Sequence, residues 1–200
     1  MEINGRIRGA GIVLMGAGLL WAVAILIEYR YGLKPPGQGT LYAINQSMFF
    51  VAQAGYLTGI FGLMWARAAG DGWFGKISLG LFAFGWSMLL VAEPLAWMTR
   101  DNNLALFPIG GLAAMLGGLI SGIAVIGAGR WKGWRRFSVL FYALFYLLAL
   151  LLPLFIKNQG PTLVTESLWG LAWLPIGGAL VSQARIERTP SLAGVRVENR

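Results

Sequence analysis

Six runs of apolar residues, each near the length that a bilayer demands, recur along this chain with polar punctuation between them: 8–28, 45–66, 77–98, 107–128, 137–156 and 165–184. An α-helix rises about 1.5 Å per residue, so roughly 20 apolar residues cross a hydrocarbon core of about 30 Å. The pattern predicts an all-α membrane protein, a six-transmembrane-helix bundle forming a single domain over residues 1–184, with a polar cytoplasmic tail at 185–200. The first run follows Arg6 and Arg8 as the core of a signal peptide would. It is too long for one and lacks a convincing small-x-small cleavage site, so it reads as a helix that stays.

Periodicity inside the runs assigns faces. In the fourth, Gly110, Ala114, Gly118 and Gly122 fall four apart, with Ala113, Gly117 and Ser121 alongside. An interior glycine costs a water-exposed helix roughly 0.5–1 kcal/mol relative to alanine. In lipid the same face lets two backbones approach, and dispersion then replaces the missing hydrophobic drive. The fourth helix is therefore expected to be the contacted centre of the bundle.

Elsewhere the stripes are aromatic and acidic. Trp21 and Glu28 stand seven apart, Trp86, Glu93 and Trp97 seven and four, and Glu166, Trp169 and Trp173 three and four. Gln46 and Gln53 add an amide face to the second helix. Glutamates that end helices and tryptophans that form an interfacial belt explain part of this pattern. They do not explain Glu93 and Gln53, which lie inside their runs. A carboxylate in lipid costs roughly 2.5–3.5 kcal/mol, so Glu93 is expected to face the bundle interior or water. Pro94, Pro153 and Pro175 have no N–H to give the carbonyls of Leu90, Ala149 and Leu171, which predicts kinks in three helices.

Composition agrees with the class: 57% of residues are hydrophobic and 12% charged, against roughly 25% charged in soluble domains. The net charge of +8 would point to nucleic acid in a soluble protein. Here its distribution carries the information instead, and no nucleic-acid partner is expected. With alternating spans, Arg6, Arg8, Arg67, Lys76, Arg130, Lys132, Arg135, Arg136, Arg185, Arg188, Arg196 and Arg200 fall on one side. Arg30, Lys34, Arg100 and Lys157 fall on the other. The positive-inside rule then makes this a multi-pass protein of the cell inner membrane with both termini cytoplasmic. Glu28, Glu93, Asp101 and Glu166 lie towards the outside.

Cysteine and histidine are both absent. That excludes disulfides, thiolate metal sites, cysteine nucleophiles, histidine-ligated haem and serine–histidine triads, and no metal or cofactor is expected. Alcohol phosphatidyltransferases of this size need clustered aspartates on one helix, and Asp71 and Asp101 do not supply them. In outline the chain is similar to the substrate-binding components of vitamin transporters, and no motif accompanies that similarity.

The leading expectation is a non-enzymatic binding or transport protein with an outward-opening polar-aromatic cavity, for a small cationic or amphipathic molecule or a lipid. Its ligand-binding residues would be Glu93, Trp86, Trp97, Gln53, Gln46, Glu28, Trp21, Glu166, Trp169 and Trp173, holding a cation by charge and by cation–π attraction. The alternative is a structural subunit whose fourth helix packs on a second copy or another membrane protein through Gly110, Ala114, Gly117, Gly118 and Gly122. A lipid-modifying enzyme with Glu93 as general base comes third, because no nucleophile stands at a defined spacing from it.

Overall fold

The computed structural model describes residues 2–33, 37–100, 104–153 and 162–186. Lys34, Pro35, Pro36, Asp101, Lys157 and the polar tail from residue 187 onwards, with Arg188, Arg196 and Arg200, lie outside these. All regular structure among the described residues is helical. Among the described residues, five helical stretches are long and apolar enough to cross a membrane: α1 (Glu2–Tyr31), α2 (Thr40–Trp65), α3 (Trp73–Thr99), α4 (Leu106–Ala128), and the pair α6 (Leu163–Leu171) and α7 (Leu174–Ile186), which together make a span over Leu163–Arg185.

The helices overrun the apolar stretches that announce them. α1 starts at Glu2 and α2 at Thr40, several residues ahead of the runs at 8 and 45. The apolar run marks what can lie in hydrocarbon, whereas the backbone has every reason to stay helical through the interface, where its N–H and C=O groups still need partners.

The expected span at 137–156 takes a different form. A 3-10 turn at Gly133–Phe137 leads into α5 (Ser138–Phe145), which widens into a π-helical segment at Tyr146–Leu151 just before Pro153. Proline cannot donate to Ala149 and its ring crowds that carbonyl, and a wider turn beforehand relieves the conflict. The described helical stretch is shorter than a full span. Pro175 acts similarly between α6 and α7. The chain tightens at Ala172 and Trp173, where Trp173 N donates to Gly170 O at 3.3 Å, and then restarts with Pro175 in the first turn of α7, where a missing N–H is tolerated. Pro94, by contrast, sits inside the continuous helix α3.

Neighbouring helices in sequence are neighbours in space. α1 packs on α2, α2 on α3, α3 on α4 and α4 on α5, while α6 and α7 return to α1 and touch the α5 segment, closing a ring in chain order. Small residues set the close contacts. A methyl placed on Gly18 would lie 2.5 Å from the Gly170 carbonyl oxygen, and one on Gly11 would lie 2.7 Å from that of Gly177. Two glycines seven apart on α1 therefore meet two glycines seven apart on the last span. Gly55, Gly59 and Gly62 of α2 fit against Ala17, Leu14 and Ala10 of α1.

The glycine face of α4 is used within the chain. Gly117 lies against the Phe82 backbone, Gly110 against Met88 and Gly85, Gly118 against Ala143 and Phe82, and Gly122 against Leu140, while Ala114 covers Gly85. α4 is thus a wall clasped by α3 and α5. The middle of the ring is filled by side chains of other helices: Tyr56, Phe82, Trp86, Tyr142 and Trp173, all fully buried.

At the basic end of the bundle, Asp71 in the α2–α3 turn receives Arg67 at 3.4 Å and Arg130 from the turn after α4. Such exposed pairs are worth about 0–1 kcal/mol. They tie two turns together more than they stabilise the fold. Gly70 and Gly129, with φ of 83° and 64°, make the left-handed steps these turns require.

Candidate functional site

The end of the bundle opposite these arginines carries a cavity of about 300 Å³. It is lined by Trp21, Ile25 and Glu28 of α1, Tyr42, Gln46 and Phe49 of α2, Glu93, Ala96 and Trp97 of α3, Phe107 of α4 and Glu166 of α6. Each position follows from local helical geometry. On α2 the steps Tyr42, Gln46, Phe49, Gln53 and Tyr56 alternate four and three residues, the spacing that keeps side chains on one face. On α3, Trp86, Glu93 and Trp97 share a face in the same way. On α6 a reciprocal cap sets the start of the helix: Thr165 N donates to Thr162 Oγ1 at 3.2 Å, and Thr162 N donates to Thr165 Oγ1 at 2.8 Å. Glu166 N then donates to the Thr162 carbonyl at 2.9 Å. The cap thus holds Glu166 in the first turn, where the helix dipole favours a carboxylate.

Three carboxylates share this space. Glu28 interacts electrostatically with both Glu93 and Glu166. The lining includes no lysine or arginine among the described residues. Glu93 is anchored from below, since Gln53 Nε2 donates to its Oε1 at 2.7 Å. Gln53 is buried, and its own Oε1 has no partner among the described residues. The amide therefore orients Glu93 across the α2–α3 interface without neutralising it.

The floor is aromatic. Trp21 meets Phe49 and Trp169 edge-on, each with ring centroids 4.7 Å apart. Beneath it Trp86 stacks on Trp169 at 5.7 Å, Tyr56 on Trp173 at 4.6 Å, and Tyr142 approaches Trp173 at 4.0 Å. Contacts of this kind are worth roughly 0.5–1.5 kcal/mol each beyond area burial. Trp21 and Phe49 join this ring cluster to the lining of the cavity.

Of the residues singled out by sequence, Glu28, Glu93, Glu166, Gln46, Trp21 and Trp97 come together around the cavity. Gln53 stands one layer below as the anchor of Glu93, and Trp86, Trp169 and Trp173 belong to the aromatic floor and core. Sequence reasoning overlooked Tyr42, Phe49 and Tyr56, whose seven-residue repeat on the Gln46–Gln53 face is a legible signal. It also overlooked Phe107, Tyr142 and Tyr146, which only packing brings in. Asp101 lies outside the described residues.

Carboxylates and aromatic rings in one lining can attract a cation through charge and the ring quadrupoles. No protein-family model, curated protein or solved structure matches this chain, and the similarity of outline to vitamin-transporter components does not extend to a match.

Proposed function

We propose that this chain is a membrane-embedded binding or transport protein whose cavity opens to the outside and holds a small organic cation, a primary to quaternary amine. One observation carries the reading: three glutamates and five aromatic side chains line a single pocket. An ammonium ion there gains coulombic attraction from Glu28, Glu93 and Glu166 and cation–π attraction from Trp21 and Trp97, worth up to about 2 kcal/mol per ring when desolvated. A volume near 300 Å³ is at the small end for ligand sites, which favours a compact headgroup. Among the described residues the lining holds no serine, threonine or lysine that could serve as a nucleophile, so group transfer to a side chain has less support than binding.

The outward direction rests on charge. Arg6, Arg8, Arg67, Lys76, Arg130, Lys132, Arg135, Arg136 and Arg185 gather at the basic end, which the positive-inside rule places in the cytoplasm. That orientation takes the α5 segment as a sixth crossing and both termini as cytoplasmic. The chain has no native cysteine, so single labels report cleanly. A membrane-impermeant maleimide is expected to label Gln38→Cys from outside and Lys132→Cys only after permeabilisation. Labelling of both from one side would end this orientation.

The scaffold alternative draws less support, because the small face of α4 that would dock a partner already meets α3 and α5. Binding is tested directly by thermal melting of purified protein against simple amines, with tetramethylammonium as the reference probe. At a hundred times its dissociation constant a ligand adds about 2.7 kcal/mol to stability, a readily measured rise in melting temperature. No rise with any amine, at concentrations that saturate ordinary sites, would overturn the reading.

A further inference from the structure

The cavity adjoins a groove that a purely water-borne cation does not need. The groove, of about 270 Å³, runs between α2 and α3 and is lined by Gln46, Ser47, Phe50, Val51, Glu93, Pro94 and Trp97. Gln46, Glu93 and Trp97 line both spaces, so these three side chains form the wall that the two share, with Glu93 anchored there by Gln53. Away from that shared wall the groove is apolar in effect. Ser47 Oγ donates to the Ala43 carbonyl of its own helix at 2.8 Å, and Pro94 contributes a ring and no N–H. Phe50 and Val51 are 41% and 56% exposed on the outer surface of a helix apolar enough to span a membrane, so the groove faces hydrocarbon.

Resting on the cation-binding reading above, we infer that the ligand is a single-chain cationic amphiphile that reaches the site sideways from the bilayer between α2 and α3. Its charged head lies among Glu28, Glu93 and Glu166, and its alkyl chain lies along the groove over Phe50, Val51 and Pro94. Charge complementarity selects the head, and the lipid-facing slot selects the tail. Glu93 and Trp97, common to both compartments, mark the junction between head and chain. The geometry also removes a difficulty of access, because an amphiphile already dissolved in the leaflet needs to move only its head past Trp97.

The test compares tetramethylammonium with octyltrimethylammonium by calorimetric titration of the protein in nanodiscs of zwitterionic lipid, corrected for partitioning into empty nanodiscs. With affinities referred to the probe free in water, burial of methylenes is worth about 0.8 kcal/mol each, roughly fourfold in affinity. Even partial seating of the chain is therefore expected to give octyltrimethylammonium an advantage of about 100-fold or more. Val51→Trp fills the groove from an exposed position. It is expected to reduce that advantage to about threefold or less while leaving tetramethylammonium affinity within about twofold. Ser47→Leu, one turn away on the same wall, is expected to reproduce the effect and serves if Val51→Trp folds poorly. Equal affinity of the two probes, or an advantage that survives both substitutions, overturns the lateral route while leaving the cation site standing. If neither probe binds the wild-type protein, the cation site falls as well.

Discussion

Gly117→Leu is expected to leave little folded protein, destabilising the bundle by about 3 kcal/mol or more, while Gly127→Leu ten residues further along the same helix melts like the wild type. A side chain at Gly117 lands on the backbone nitrogen and Cα of Phe82, atoms that cannot rotate away. Moving α3 to make room would pull Phe82 off Trp173, on which it stacks at 5.7 Å, and would disturb the core from which the cavity floor is built. Overpacking ordinarily costs about 1–3 kcal/mol and exceeds that where backbone meets backbone. At Gly127 nothing lies within 4 Å of the added carbon. Gly118→Ala should fall between them, since its methyl would meet only Ala143 Cβ at 3.3 Å and the edge of the Phe82 ring. Melting in detergent, followed by circular dichroism and by size-exclusion elution, reads all three. A Gly117→Leu protein that melts with the wild type would show that α3 and α4 are not clasped as described.

Glu93→Gln is expected to weaken binding of tetramethylammonium by about 30-fold or more while the fold melts at or slightly above the wild-type temperature. Truncating one partner of a buried charge pair typically costs about 2–5 kcal/mol of affinity, and the middle of the cavity is where solvent screens least. The substitution keeps shape, and its amide oxygen still accepts from Gln53 Nε2, which lies 2.7 Å from the carboxylate now. Removal of a half-buried charge is commonly neutral or stabilising for the fold itself. Affinity is therefore the discriminating measurement, since the fold is expected to tolerate the change whether or not Glu93 binds a ligand. Retention of full affinity in Glu93→Gln, with a correctly folded protein, would remove the central residue from the proposed site. Gln53→Ala is expected to act in the same direction but more weakly, because it frees the Glu93 side chain without discharging it.

How far these features could be read in advance depends on the range of the interactions behind them. That Glu93 avoids lipid follows from the cost of a carboxylate in hydrocarbon, a property of one residue and its neighbours in the run. That Trp86, Glu93 and Trp97 share a face follows from helical pitch. The glycine face of α4 was equally legible, but its partner was not. Seen alone, the stripe suits another chain as well as it suits α3 and α5, and nothing in residues 106–128 names Phe82 or Leu140 as what they meet. The same limit hid the contacts of Gly11 with Gly177 and of Gly18 with Gly170, more than 150 residues apart in the chain.

The sequence by itself determined the helical membrane class, five of the apolar spans and the faces on which the unusual residues lie, because each depends on hydropathy or on the 3.6-residue period over one or two turns. Only the tertiary structure decided how those faces rotate against one another. Helix azimuth is set by which small residues interlock with which neighbours, a sum of many weak dispersion contacts that no local pattern encodes. It is that rotation which sinks Trp86, Trp169 and Trp173 into the floor, raises Tyr42, Phe49 and Phe107 into the wall, and brings Glu28, Glu93 and Glu166 from three separate helices into one pocket.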